Sequence, residues 1–188
     1  MGRFESLDIL RAELSKNTSF NTGRWATTEE VDAILSLAEI SKTEIFIECG
    51  TANGWTALNF ASIAPVFTFD VQVRETCYQT ENITRIIGKF DANVMKIKDK
   101  VMGKKKLFFI DGDHKGGAPT KDFEACIPLL ETKDTIVFHD SYSYPSVKRA
   151  IARVEGMYPW WSKLEVKTYN GMVFFGVKNN PLKVCCEI

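Results

Sequence analysis

No stretch of this 188-residue chain stays apolar for the ~20 residues that a bilayer crossing needs, which excludes a helical membrane span. The opening residues, M-G-R-F-E-S-L-D, lack the apolar centre of a secretory signal, so a cytoplasmic protein is expected. Gly2 and Ser6 match the loose myristoylation pattern, which is too permissive to carry weight. Neither sign of charge dominates. Lys plus Arg number 24 against 24 Asp plus Glu, so no global field draws the chain to nucleic acid or to a membrane surface. Low-complexity tracts are absent, which argues against disorder. The five cysteines are an odd number without metal-ligand spacing. Cys49, Cys77 and Cys126 stand in apolar contexts and Cys185-Cys186 near the end, as expected for reduced thiols. Also missing is G-x-G-x-x-G, and with it the pyrophosphate cradle of dinucleotide-binding folds.

What is present suits one domain with a substantial core, since 45% of the residues are hydrophobic. Helical spacing appears over 4–15 and 28–40, the second opened by the capping signal T-T-E-E. From residue 44 short apolar runs alternate with helical ones. Strands are expected at 44–49, 66–70, 83–87, 107–111 and 135–139, and helices at 54–62, 73–80, 91–102, 119–130 and 145–156. Continuous apolar strands separated by helices imply an α/β, three-layer architecture with a parallel sheet covered on both faces. The end breaks this rhythm. L-E-V-K-T-Y, Asn170-Gly171 and M-V-F-F-G-V-K read as an antiparallel β-hairpin turned at Asn-Gly. The basic run Lys104-Lys105-Lys106 reads as a solvated turn before a strand.

The turn after the first strand, E-C-G-T-A-N-G, places Gly50 and Gly54 at the carboxyl rim of the sheet, where open α/β folds bind ligands. Glu48 ends that strand and Asp70 the next. A carboxylate at the tip of a buried strand costs several kcal/mol unless something pairs with it. Asp70 is placed to accept both hydroxyls of a ribose. These residues and the closing hairpin resemble class I S-adenosylmethionine-dependent methyltransferases over roughly residues 28 to 178. The resemblance implies a Rossmann-like sheet of five parallel strands plus the hairpin, in the order 3-2-1-4-5-7-6. It also implies a domain at 28–180, preceded by a helix and loop at 1–27 and followed by a tail at 181–188. For S-adenosyl-L-methionine it implies contacts from Glu48, Gly50, Thr51, Ala52, Asn53, Gly54, Trp55 and Thr56. Asp70 would hold the ribose, Phe90 and Asp91 would flank adenine, and Asp111 would complete the cofactor set.

The phrase L-F-F-I-D-G-D-H runs an apolar strand into Asp111, Asp113 and His114, and I-V-F-H-D ends the next strand in His139 and Asp140. Neighbouring strands would bring these tips within ~5 Å. Oxygen-rich clusters of this kind suit a hard divalent ion such as Mg²⁺. F-I-D-G-D-H, D-F-E-A-C-I-P-L-L and I-V-F-H-D are similar to the metal-dependent O-methyltransferase branch that includes sugar and catechol-type enzymes. That resemblance implies ion ligands at Asp111, His139 and Asp140. The pair at 139–140 is commonly acid-acid in the branch, and His139 departs from it toward Mn²⁺ or a softer ion. His114 falls where the family has its general base, and Asp113 is the rival. The expected function is methyl transfer to a hydroxyl of a small polar acceptor, sugar or diol-like. Two alternatives stay open, a metal-independent methyltransferase and a non-catalytic S-adenosylmethionine-binding protein. Trp25, residues 141–145, Trp160-Trp161 and the 115–120 stretch flank the site in sequence. No nucleic acid or membrane partner is expected, while apolar surface on the N-terminal helices would support a homodimer.

Overall fold

A computed structural model of the protein describes residues 26–72, 74 and 79–176. The helix expected at 4–15, most of that expected at 73–80, Gly2, Ser6, Trp25, Cys77, Cys185 and Cys186 lie outside the described residues. Seven strands form one sheet: β1 (Ile45–Cys49), β2 (Val66–Asp70), β3 (Ile83–Ile87), β4 (Lys106–Ile110), β5 (Thr135–Phe138), β6 (Ser162–Val166) and β7 (Met172–Gly176). Their order is β3-β2-β1-β4-β5-β7-β6, with β7 antiparallel to β5 and β6 and the rest parallel. The expected sheet order holds throughout.

Alternation along the strands divides the core between two faces. Ile45, Ile47, Phe108, Ile110 and Phe138 pack on one side. There they meet α5 (Ala118–Cys126), α6 (Pro145–Met157) and the 90–101 segment. Phe46, Leu107, Phe109, Val137 and Phe174 face the other way, against α1 (Thr28–Ser41) and α2 (Trp55–Phe60). Glu48 shares the parity of Phe46, Asp111 that of Phe109, and His139 that of Val137. The face that carries the site residues is therefore the face α1 covers.

Where elements differ from expectation, the causes are local. The helix expected over 91–102 is α3 (Phe90–Asn93), a 3₁₀ turn (Val94–Ile97) and α4 (Lys98–Val101). Asn93 Nδ2 donates to the Lys89 carbonyl at 2.7 Å, a side-chain bond that competes with the backbone ladder. The helix expected over 119–130 stops at Cys126 and tightens to 3₁₀ over Ile127–Leu129, because Pro128 has no N–H to donate. The hairpin does not turn on Asn-Gly alone. Val166 pairs with Met172, leaving a five-residue connection 167–171 in which Gly171 takes φ 77° and Asn170 does not take positive φ. Asn170 is instead held from outside the hairpin, as described below.

Lys106 corrects a second expectation. It is not a solvated turn residue but the first residue of β4, with a fully buried side chain. Its Nζ lies 2.6 Å from Glu131 Oε2 and 3.0 Å from Asp134 Oδ2, and donates to the Lys104 carbonyl at 2.9 Å. Register with β5 requires the backbone there, so the amine is buried and needs these partners.

Glu48 is buried too. Its Oε2 accepts from Thr68 Oγ1 at 2.5 Å, and Thr68 Oγ1 lies 2.6 Å from Thr51 Oγ1. Oε1 has no hydrogen-bond partner. Burial pushes the carboxyl up to about 8, outweighing the Thr68 hydrogen bond that acts the other way. The folded protein thus binds a proton that the unfolded chain releases near ~4.3. Its stabilising contribution is complete below that value and is lost as pH rises through about 8. Glu48→Gln is expected to gain ~1–3 kcal/mol on the native chain between pH 5 and pH 9, read by urea unfolding. A constant difference across that range would show Glu48 to be ionised in the fold.

Candidate active site

The carboxyl rim of the sheet opens into a cleft of about 1140 Å³. A drug-sized ligand typically takes ~300–1,000 Å³, so this space accommodates a nucleotide-sized molecule and part of a second one. Of the residues expected to hold the cofactor, Gly50, Thr51, Ala52, Asn53, Trp55 and Thr56 line it. So do Asp70, Phe90, Asp91 and Asp111. Glu48 and Gly54 do not. Glu48 points into the sheet at Thr68, and Gly54 is the left-handed N-cap of α2. The loop is shaped by its neighbours. Gly50 has φ 97°, and a Cβ there would overlap the Asp111 carbonyl, so only glycine lets β1 pass the β4 tip. Asp70 Oδ2 accepts from Ala52 N at 2.8 Å, tying the turn to the second strand.

The tips of β4 and β5 meet as the register dictates. Ile110 pairs with Phe138, and His139 N donates to the Ile110 carbonyl at 3.2 Å, which sets Asp111 beside His139. Asp111 Oδ1 lies 3.1 Å from His139 Nδ1, and Asp140 Oδ2 lies 3.6 Å from the same nitrogen. Asp140 reaches the group through a left-handed backbone, φ 59°, which is uncommon for a residue with a Cβ and is typical of functional sites. One donor atom from each of Asp111, His139 and Asp140 falls within 4.8 Å of the others. His114 Nε2 completes the arrangement, 3.5 Å from Asp111 Oδ1 and 3.3 Å from Asp140 Oδ2. That nitrogen is buried yet makes no aligned hydrogen bond, so proximity rather than bonding holds it there.

The field in this group is negative. Burial opposes charge on His139, but Asp111, Asp140 and Glu30 outweigh it and raise the imidazole well above its ordinary value. His114 is raised for the same reason, burial again opposing and Asp111 and Asp140 prevailing. Burial would raise Asp111, yet the two histidines hold it below the usual carboxylate range. Two carboxylates and an imidazole nitrogen converging in a negative field fit a divalent cation, with the orphaned His114 nitrogen beside them.

His114 stacks on Tyr144 with ring centroids 4.3 Å apart, and its carbonyl accepts from Ser146 Oγ. Asp113 is exposed at the cleft rim, its Oδ1 accepting from Lys115 N at 3.0 Å. Ser143 and Tyr144 line the cleft, whereas Ser141 and Tyr142 pack against Gly171. Of the 115–120 stretch, residues 118–120 already belong to α5. Neither Trp160 nor Trp161 reaches the cleft, and Trp161 stacks on Tyr158 at 4.1 Å.

Some residues carried no local sign of their part. Glu30 reads as a capping residue and is one, exchanging bonds with Thr27. It also reaches His139 Nε2 at 3.0 Å, across 109 residues of sequence. Tyr169 and Asn170 enter the cleft wall from the hairpin connection. Asp122 sits beside Cys49 at the cleft floor, where burial pushes its carboxyl up to about 6.

A family model described as a methyltransferase domain matches residues 47–141, just over half of the chain. The chain belongs to this methyltransferase family and is an S-adenosylmethionine-dependent methyltransferase with the class I fold. A search among curated proteins gave no match. Among solved structures, it is similar to a Staphylococcus aureus protein assigned as a caffeoyl-CoA O-methyltransferase. They share 21% identity at TM-score 0.68, over 90% of this chain and 91% of that one. It is also similar to an O-methyltransferase from Bacillus cereus in complex with SAH, at 16% identity and TM-score 0.68, over 93% and 91% of the two chains. A third is MycE, a methyltransferase of mycinamycin biosynthesis in complex with Mg and SAH. There the figures are 12% identity and TM-score 0.58, over 86% of this chain and 53% of that one. No helix among the described residues is long and apolar enough to cross a membrane.

Proposed function

We propose that this methyltransferase acts on a hydroxyl oxygen of a small polar acceptor, sugar or diol-like, with help from a divalent cation, Mg²⁺ or Mn²⁺. The observation that carries the reading is the convergence of Asp111, His139 and Asp140 donors within 4.8 Å, with His114 Nε2 3.3–3.5 Å from the two acids. Asp111, His139 and Asp140 would hold the ion. Gly50, Thr51 and Ala52 would hold the methionine end of the cofactor, and Asp70, Phe90 and Asp91 its nucleotide end along the cleft. When bound, S-adenosylmethionine supplies an electrophilic methyl group and the cation a fixed positive charge for the acceptor oxygens.

The chain's own part is alignment and proton removal. The cleft walls place acceptor and cofactor on one line, and such alignment is worth ~7–11 kcal/mol. His114 Nε2 takes the acceptor's proton. As the oxygen–methyl bond forms the sulfur–methyl bond breaks, leaving a neutral thioether and a protonated His114. The carboxylates that raise His114 in the free protein lose that influence once neutralised, which leaves the imidazole free to accept. Tyr144, stacked on His114, and Tyr169 offer aromatic faces to a ring-shaped acceptor.

Calorimetric titration of the full chain with S-adenosylhomocysteine is expected to show micromolar or tighter binding with or without the ion. Turnover of a vicinal diol should vanish in excess EDTA and return on adding Mg²⁺ or Mn²⁺. Turnover that persists after exhaustive chelation would establish the metal-independent alternative.

A further inference from the structure

We infer that Glu30 is a positioning residue that fixes His139 as an Nδ1 donor and thereby tunes the ion site toward nitrogen-preferring first-row cations over Mg²⁺. The inference rests on the reading that Asp111, His139 and Asp140 hold a divalent ion, and adds to it which ion the site selects and what sets the choice.

A neutral imidazole has one N–H and one lone pair, and the partner of one nitrogen decides the role of the other. His139 Nε2 lies 3.0 Å from Glu30 Oε2. Glu30 has no room to be a donor there. Its Oε1 accepts from Thr168 Oγ1 at 2.8 Å and from Asn170 N at 3.0 Å. Its Oε2 accepts from Asn170 Nδ2 at 3.0 Å and from Thr27 N at 2.8 Å. Four donors besides the histidine surround a fully buried carboxylate, so it is an ionised acceptor held in one orientation. Nε2 must therefore carry hydrogen in either protonation state, and Nδ1, which faces Asp111 and Asp140, is the nitrogen whose proton a cation would displace.

The donors arrive from two separate places, the start of α1 and the 167–171 connection. That explains why Asn170 is held rather than free to form a two-residue turn. A rigid imidazole lone pair beside two carboxylate oxygens makes a mixed nitrogen–oxygen set. Mg²⁺ favours oxygen ligands and retained water, whereas Mn²⁺, Fe²⁺, Co²⁺ and Zn²⁺ accept imidazole readily.

The test uses the full chain without acceptor, titrated calorimetrically with Co²⁺, Mn²⁺ and Mg²⁺. The native protein should bind Co²⁺ at least ~10-fold tighter than Mg²⁺, and Glu30→Gln should weaken Co²⁺ by ~10–100-fold. His139→Asp, which makes the set all-oxygen, should narrow the Co²⁺/Mg²⁺ preference by at least ~10-fold. Pulsed electron resonance of the Mn²⁺-loaded native protein should show coupling to a directly bound imidazole nitrogen. Nitrogen-15 spectra of the Zn²⁺-loaded protein should show His139 Nε2 protonated. The inference is overturned by an unchanged Co²⁺ affinity in a folded Glu30→Gln protein, by equal native affinities for Co²⁺ and Mg²⁺, or by the absence of nitrogen coupling. Should Glu30→Gln fail to fold, the narrowed preference of His139→Asp and the native spectra decide. A native protein that binds S-adenosylhomocysteine but no divalent ion would instead remove the cation from the proposed function itself, a result distinct from ion binding without nitrogen contact.

Discussion

His114→Ala is expected to lower kcat by ~10²–10⁴-fold while leaving S-adenosylhomocysteine affinity within a few-fold of native, as removal of a general base does. The separation follows from geometry. His114 Nε2 sits between Asp111 and Asp140 without an aligned partner, whereas the glycine turn that would grip the cofactor is held by Asp70 and the β4 backbone. The 114 carbonyl, not the ring, receives the Ser146 bond, so the loop keeps its anchor in the variant. In the native protein kcat/KM should rise with pH as His114 loses its proton, and the variant should lack that limb. Because neighbouring acids raise the imidazole in the ion-free protein, its titration there, followed by NMR, should lie above the ordinary histidine value. Asp113→Asn should change kcat by less than ~10-fold, since that carboxylate is exposed and engaged by Lys115 N. Stopped assays at saturating acceptor would check both. A kcat for His114→Ala within tenfold of native, with Asp113→Asn crippled, would transfer the role of base to Asp113.

Much of this arrangement is legible in the chain because parallel strands write themselves as apolar runs. V-F-T-F-D and I-T-R-I-I span β2 and β3 residue for residue, and β4 and β5 stop one residue short of expectation. That single residue matters. Asp111 and His139 still donate their N–H groups to the neighbouring strands just past the strand ends, so their side chains keep the strand alternation as they reach the cleft. Once I-D-G-D-H and F-H-D are put on adjacent strands, the meeting of Asp111, His139 and Asp140 follows from register alone. What stays hidden are partnerships that no local pattern encodes. T-T-E-E announces a helix start, but the same carboxylate that caps α1 also receives His139 from the end of β5 and Asn170 from the hairpin connection. Glu48 looks like a ligand because an acid at a strand tip demands a partner, and its partner proves to be Thr68 inside the sheet. Lys104-Lys105-Lys106 looks solvated as a run, although register divides it, leaving Lys104 exposed and Lys106 enclosed.

That enclosed amine carries the largest stability effect expected in the fold. Lys106→Ala should destabilise the protein by ~3–5 kcal/mol, the range for removing one partner of a buried ion pair. The loss falls mainly on Asp134, which is fully buried and would lose the ammonium 3.0 Å from its Oδ2. Burial already raises that carboxyl above its usual range, outweighing the bonds it receives from Lys106 N and Glu131 N. Glu131, with a side chain 30% exposed, can turn to water and loses less. Lys106→Met/Asp134→Asn removes both charges while the asparagine oxygen can still accept a backbone N–H. The double variant should therefore recover at least half of the single variant's loss, a coupling that a double-mutant cycle in urea measures. The cluster lies at the amino end of β4, at the opposite end of the strand from Asp111, so activity of the folded single variant should stay close to native. A strict sum of the two single effects in the double variant would mean that Lys106 stabilises β4 through its aliphatic stem rather than through its charge.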